Sequence, residues 1–81
     1  MSKLAFTRFK NRGWLTAEEL ELENELVRFI EEEENATGIE CDSVVSGMSD
    51  EALKILLEGV RRRRKEAQAL SKERKKLLSS M

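Results

Sequence analysis

The chain has 81 residues, a net charge of −1, one Cys, and no His, Tyr or Pro. Such a length makes one domain with a modest core and room for about three helices. The missing residue types argue against catalysis and against zinc, because Cys41 has no His to activate it and a zinc site needs several Cys or His ligands.

A membrane span needs roughly 18 apolar residues in a row, and no stretch here approaches that. The first residues lack the apolar core of a signal peptide, and a lone Cys fits a reducing compartment. A cytoplasmic protein with no membrane contact, no cofactor and no metal is therefore expected.

Residues 1–13 carry Lys3, Arg8, Lys10 and Arg12 with no acid, a net of +4. They read as a short basic helix or arm, with Gly13 as a left-handed stop and Trp14 packing back on Phe9. An extended segment fits the alternation of Phe6 with Arg8, Lys10 and Arg12 as well. In that reading Phe6, Phe9 and Trp14 become stacking platforms for single-stranded nucleic acid, although aromatics at these spacings more often belong to a core.

Residues 14–42 hold eleven acids against Arg28 alone, a net of −10. Within them Leu15-Thr16-Ala17-Glu18-Glu19-Leu20 has the form of a capping box inside a hydrophobic staple, so a helix should begin at Ala17. Leu20, Leu22, Leu26, Val27, Phe29 and Ile30 fill one half of its wheel, while Glu21, Glu25, Arg28 and Glu32 lie opposite. This predicts an acidic amphipathic helix over 17–35, with Gly38 as a stop. At its negative end stand Glu31, Glu32, Glu33 and Glu34, where acids are locally unfavourable; they are read as a solvated surface or as an acidic contact face.

The connection, 36–48, contains Ile39, Cys41, Val44 and Val45, enough for a packed loop or one short helical turn. Cys41 is expected there as a small buried apolar residue. Asn35-Ala36-Thr37 matches a glycosylation sequon and is read as a chance match in a loop.

A second start follows at Met48-Ser49-Asp50-Glu51-Ala52-Leu53, with Ser49 as N-cap, two acids at the positive helix end and Met48 stapled to Leu53. Good helix formers then run without interruption to about residue 79. Leu53, Leu56, Leu57 and Val60 should be core. Beyond them the apolar face thins to Ala67, Leu70, Leu77 and Leu78, so this half should reach past the core or pair with another chain. At 3.5-residue spacing the seam reads Leu53, Leu56, Val60, Arg63, Ala67, Leu70, Arg74, Leu77, a heptad-like pattern broken by two arginines.

Residues 61–81 carry nine bases against Glu66 and Glu73, a net of +7. Arg61, Arg62, Arg63, Arg64 and Lys65 wrap a full turn, and Lys72, Arg74, Lys75 and Lys76 follow; together they are the candidate residues for gripping a partner or an anion. The stretch from Val60 to Lys76 resembles the arginine-rich helical RNA-binding motif of phage antitermination proteins. That resemblance covers about a fifth of the chain, is one of composition that coiled-coil assembly proteins share, and implies nucleic-acid binding by the last helix.

The expected fold is all-α: an antiparallel helical hairpin of two long helices plus a short N-terminal helix, with the C-terminal helix extended and the molecule oligomeric. In that hairpin the arginine run faces residues 18–25, leaving one basic end and one acidic end. The expected function is a small non-enzymatic interaction protein (a regulator, inhibitor, adaptor or assembly factor) that binds a protein partner through charge-polarised helix faces. Nucleic-acid binding by the Arg-rich helix is the alternative.

Overall fold

The computed structural model describes residues 3–39 and 42–79, apart from the side chains of residues 42, 78 and 79. Among the described residues all regular structure is helical and packs as a helical bundle. The helices are α1 (Lys3–Asn11), α2 (Ala17–Glu21), α3 (Glu23–Thr37), α4 (Asp42–Ser46) and α5 (Asp50–Ser79).

Phe6 and Phe9 are three residues apart, so a helix places both on one face, and in α1 they are 3% and 0% exposed. Their burial removes them as stacking platforms for a nucleic acid. The helix stops because Gly13 turns left-handed at φ +71°, a conformation that disfavours a side chain. Its N–H donates to the Lys10 carbonyl at 3.0 Å and the Trp14 N–H donates to the Phe9 carbonyl at 3.1 Å. This closes the helix end and brings the Trp14 and Phe9 ring centroids to 6.3 Å.

The single helix expected over 17–35 is two helices, bent at Leu22, whose φ and ψ are −97° and 37°. Hydrogen bonding runs through the bend, since the Leu22 N–H donates to the Glu18 carbonyl and the Leu22 carbonyl accepts from the Leu26 N–H. The bend changes which side chains reach the core. Leu20 and Leu22, expected inside, are 40% and 36% exposed, while Glu19 is 5% exposed. The physical cause is electrostatic: Glu19 has an arginine partner on α5 that holds α2 with its acid, not its leucines, turned inward.

From α3 the core takes Leu26, Phe29 and Ile30, and the helix ends at Gly38 with φ +79°. Asn35 to Thr37 thus lie in the last turn of a helix rather than in a loop. In α4 Val45 is buried and Val44 is exposed. The expectation for Cys41 falls outside the described residues.

Helix α5 opens where the Ser49 hydroxyl accepts from the Ala52 N–H, and it buries Leu53, Leu56, Leu57 and Val60. Thirty residues at 1.5 Å each make it about 45 Å long, which accounts for most of the 50 Å long axis of the molecule. Ala67 is the last of its residues to pack on the core. From 68 to 77 every side chain is exposed. No helix among the described residues is long and apolar enough to cross a membrane.

Candidate functional site

The arginine run divides by direction around α5. Arg61 points to α2, where its Nε donates to Glu19 Oε2 at 2.9 Å and its Nη2 donates to Glu19 Oε1 at 2.8 Å and to the Trp14 carbonyl at 2.9 Å. The same Glu19 completes the capping box, accepting the Thr16 N–H at 2.9 Å while its own N–H donates to the Thr16 hydroxyl at 3.2 Å. Its carboxyl is lowered from the ordinary 4.5 to about 2, chiefly by the Arg61 hydrogen bonds, against the opposing effect of burial and with help from Thr16.

Arg63 turns to the other flank and donates through Nε to Glu33 of α3. That carboxylate lies over Gly59, where any Cβ would displace it. A glycine in the interior of an otherwise strong helix is thus explained by a close approach. Arg64 reaches Glu18 at 3.1 Å and approaches Glu25 at 3.9 Å. Three of the four arginines are therefore spent on acids of α2 and α3. Arg62 and Lys65 are exposed, and no partner among the described residues holds either.

The other predicted site residues are scattered. Lys72, Arg74, Lys75 and Lys76 are exposed on the part of α5 beyond the core. Glu31, Glu32, Glu33 and Glu34 do not share one face: Glu31 and Glu32 are exposed, Glu33 is held by Arg63, and Glu34 is 4% exposed. The N-terminal bases have structural work of their own. Arg8 Nη1 donates to the Val45 carbonyl at 2.6 Å and the Met48 carbonyl at 3.1 Å, satisfying the open end of α4, and Arg12 pairs with Asp50 at 3.0 Å.

Two surface features were not legible in the sequence. Ile55, on the outer flank of α5, is 69% exposed. It borders a shallow, mostly apolar groove of about 190 Å³, with Ile39, Met48, Ala52 and Glu33 around it. Its one sequence signal is an isoleucine directly ahead of the Leu56 and Leu57 pair that the core takes, which marks an apolar residue and not the groove beside it. A second, wider groove of about 600 Å³ runs between α2 and α5, with Arg61, Arg62, Arg64 and Lys65 facing Glu18 and Glu58. Its charges of both signs largely compensate one another. Among the described residues no three His, Cys, Asp or Glu are grouped so as to hold a metal.

Compared with known proteins, the chain matches no family, no curated protein and no solved structure.

Proposed function

We propose that this chain is a non-enzymatic helical interaction protein, of the regulator, inhibitor, adaptor or assembly-factor kind, whose projecting basic helix docks on an acidic protein surface. One observation carries the reading. Beyond Ala67 the helix leaves the core, yet it keeps Leu70 and Leu77 at 60% and 66% exposure, seven residues apart and so on one side of the helix. An element needed only for solubility has no use for leucines there, whereas apolar anchors at helical spacing in a charged frame are how helices enter a partner's groove.

The use of the arginines supports the same choice over nucleic acid. Arg61, Arg63 and Arg64, three of the bases in the stretch from Val60 to Lys76 that carries the RNA-binding resemblance, are held by carboxylates of the same chain. On this reading α3 and α5 are the antiparallel pair expected from the sequence, and the run serves to lock them. The exposed stripe of Arg62, Lys65 and Lys72 is what remains to favour the alternative. One cysteine in 81 residues supports a cytoplasmic site of action.

The test is a photoreactive residue placed at Glu73, between the two leucines on the exposed tail, in the full chain, activated in a cell lysate with and without nuclease. A discrete polypeptide adduct that survives nuclease and is lost in Leu70→Glu/Leu77→Glu is expected. Adducts that disappear with nuclease would transfer the tail to the nucleic-acid class.

A further inference from the structure

We infer that the acidic surface the tail fits is carried by a second copy of this chain, so that molecules join head to tail, the tail of one copy seated in the groove beside Ile55 of the next. The inference rests on the reading of the tail as a protein-docking helix, and it names the partner.

Each half of the contact is incomplete alone. Beside the groove, Ile55 is flanked on its own helix face by Glu51 four residues before and Glu58 three residues after, both exposed. The nearest lysine, Lys54, is turned away and holds its Nζ 5.5 Å from the centre of the Trp14 ring. Glu33 lies on the groove wall, although Arg63 already pairs with it. Over the whole molecule the exposed Glu31 and Glu32 of α3 add to the negative field. Of these acids Glu33 alone lines the groove; Glu51 and Glu58 stand beside Ile55 on the outer face of α5, where Arg62, one heptad past Ile55, is the exposed base.

The tail has the opposite character. Between residues 68 and 77 it carries Lys72, Arg74, Lys75 and Lys76 against Glu73 alone, with Leu70 and Leu77 as its two apolar anchors. Their separation along the axis is about 10 Å. One leucine can enter the slot while the other lies along the Ile55 flank, and the lysines then stand beside Glu51 and Glu58 on the outer face of α5. Opposite charge steers such an encounter and fixes its register, while burial of the leucines and Ile55 supplies the affinity.

A single molecule cannot make this contact with itself. Ile55 and Leu70 are on one continuous helix, fifteen residues and therefore about 22 Å apart. Because the two surfaces differ, the contact is heterologous. Repeated addition yields a filament, or a ring if the rotation closes.

Two variants test the inference in purified protein, and both change only exposed residues, so each keeps its helicity and melting cooperativity. In the first, Leu70→Glu/Leu77→Glu removes the tail and leaves the groove. In the second, Ile55→Lys/Glu58→Lys removes the groove and leaves the tail. Sedimentation velocity of the wild-type chain at rising micromolar concentration should show mass growing past two chains, and about 1 M salt should weaken the association at least tenfold by screening. Each variant alone should sediment as one chain of 9.3 kDa. An equimolar mixture should form a complex of two chains and stop there, since the intact groove meets the intact tail and both outer ends are dead.

A wild-type chain that stays monomeric overturns the inference, as does a groove variant that still self-associates, which would place the contact between two tails. The docking reading is judged separately. A nuclease-resistant adduct from position 73 to a different polypeptide, lost in Leu70→Glu/Leu77→Glu, sustains it even when purified copies ignore one another.

Discussion

At the level of single residues, Glu19 does the most varied work. It closes the capping box with Thr16 and receives Arg61 in a two-pronged pair, while Arg61 also binds the Trp14 carbonyl. These bonds tie the start of α2, the end of the α1 turn and the middle of α5 together. A carboxyl lowered from 4.5 to about 2 contributes stability that is fully present above pH 4.5 and is lost as the pH falls through about 2. One pKa unit corresponds to about 1.4 kcal/mol, and screening at the part-exposed Arg61 leaves a contribution of about 2 kcal/mol at neutral pH. Glu19→Gln keeps a cap-competent amide and loses the charge. Urea unfolding should show it destabilised by about 1 to 2 kcal/mol at pH 7, with a flatter fall in stability between pH 4.5 and 2 than the parent chain.

At the level of elements, the core is built by α1, α3 and α5, with Val45 added from α4. The bend at Leu22 separates α2 from the face that α3 buries, and that separation has a measurable consequence. Leu26 and Leu56 are 1% and 3% exposed, so Leu26→Ala or Leu56→Ala should cost about 2 to 5 kcal/mol. Leu22→Ala, at a position 36% exposed on the bend, should cost less than about 1 kcal/mol. Equal losses at Leu22 and Leu26 in chemical denaturation would mean that α2 and α3 bury one continuous face after all. The other end of the bundle shows the same economy of contacts. After Ala67 the final turns of α5 pack on none of the described core residues, and their helicity relies on good helix formers and continuity with the buried half.

Over the whole molecule, charge is segregated along the chain but partly neutralised in space. The acids of α2 and α3 meet the arginines of α5, while the projecting tail presents Lys72, Arg74, Lys75 and Lys76 as exposed bases. Nucleic-acid affinity grows with the number of phosphates neutralised, each contact adding about 0.7 to 0.9 to the slope of log affinity against log salt. Few free cations remain on one stripe, and a large acidic surface repels the same polyanion. Fluorescence anisotropy with single-stranded RNA and duplex DNA should therefore show only weak binding at about 150 mM salt. A submicromolar, sequence-selective complex under those conditions would reinstate the RNA-binding resemblance.

Much of this was legible from local signals. The left-handed turns at Gly13 and Gly38, the capping box at Thr16 and the helix start at Ser49 each depend on residues within a few positions of one another, so the sequence determines them directly. The apolar spacing of Leu53, Leu56, Leu57 and Val60 likewise specified a buried face before any partner was known. What surrounds that face could not be read in this way. Whether a given arginine is a site or a strap depends on which acid stands across from it, and those acids are 30 to 46 positions away in sequence. The bend at Leu22, the inward turn of Glu19, the use of Arg8 to close α4 and the exposure of Ile55 are all decided by packing between helices, because a periodic pattern defines a face of a helix and leaves open what that face meets.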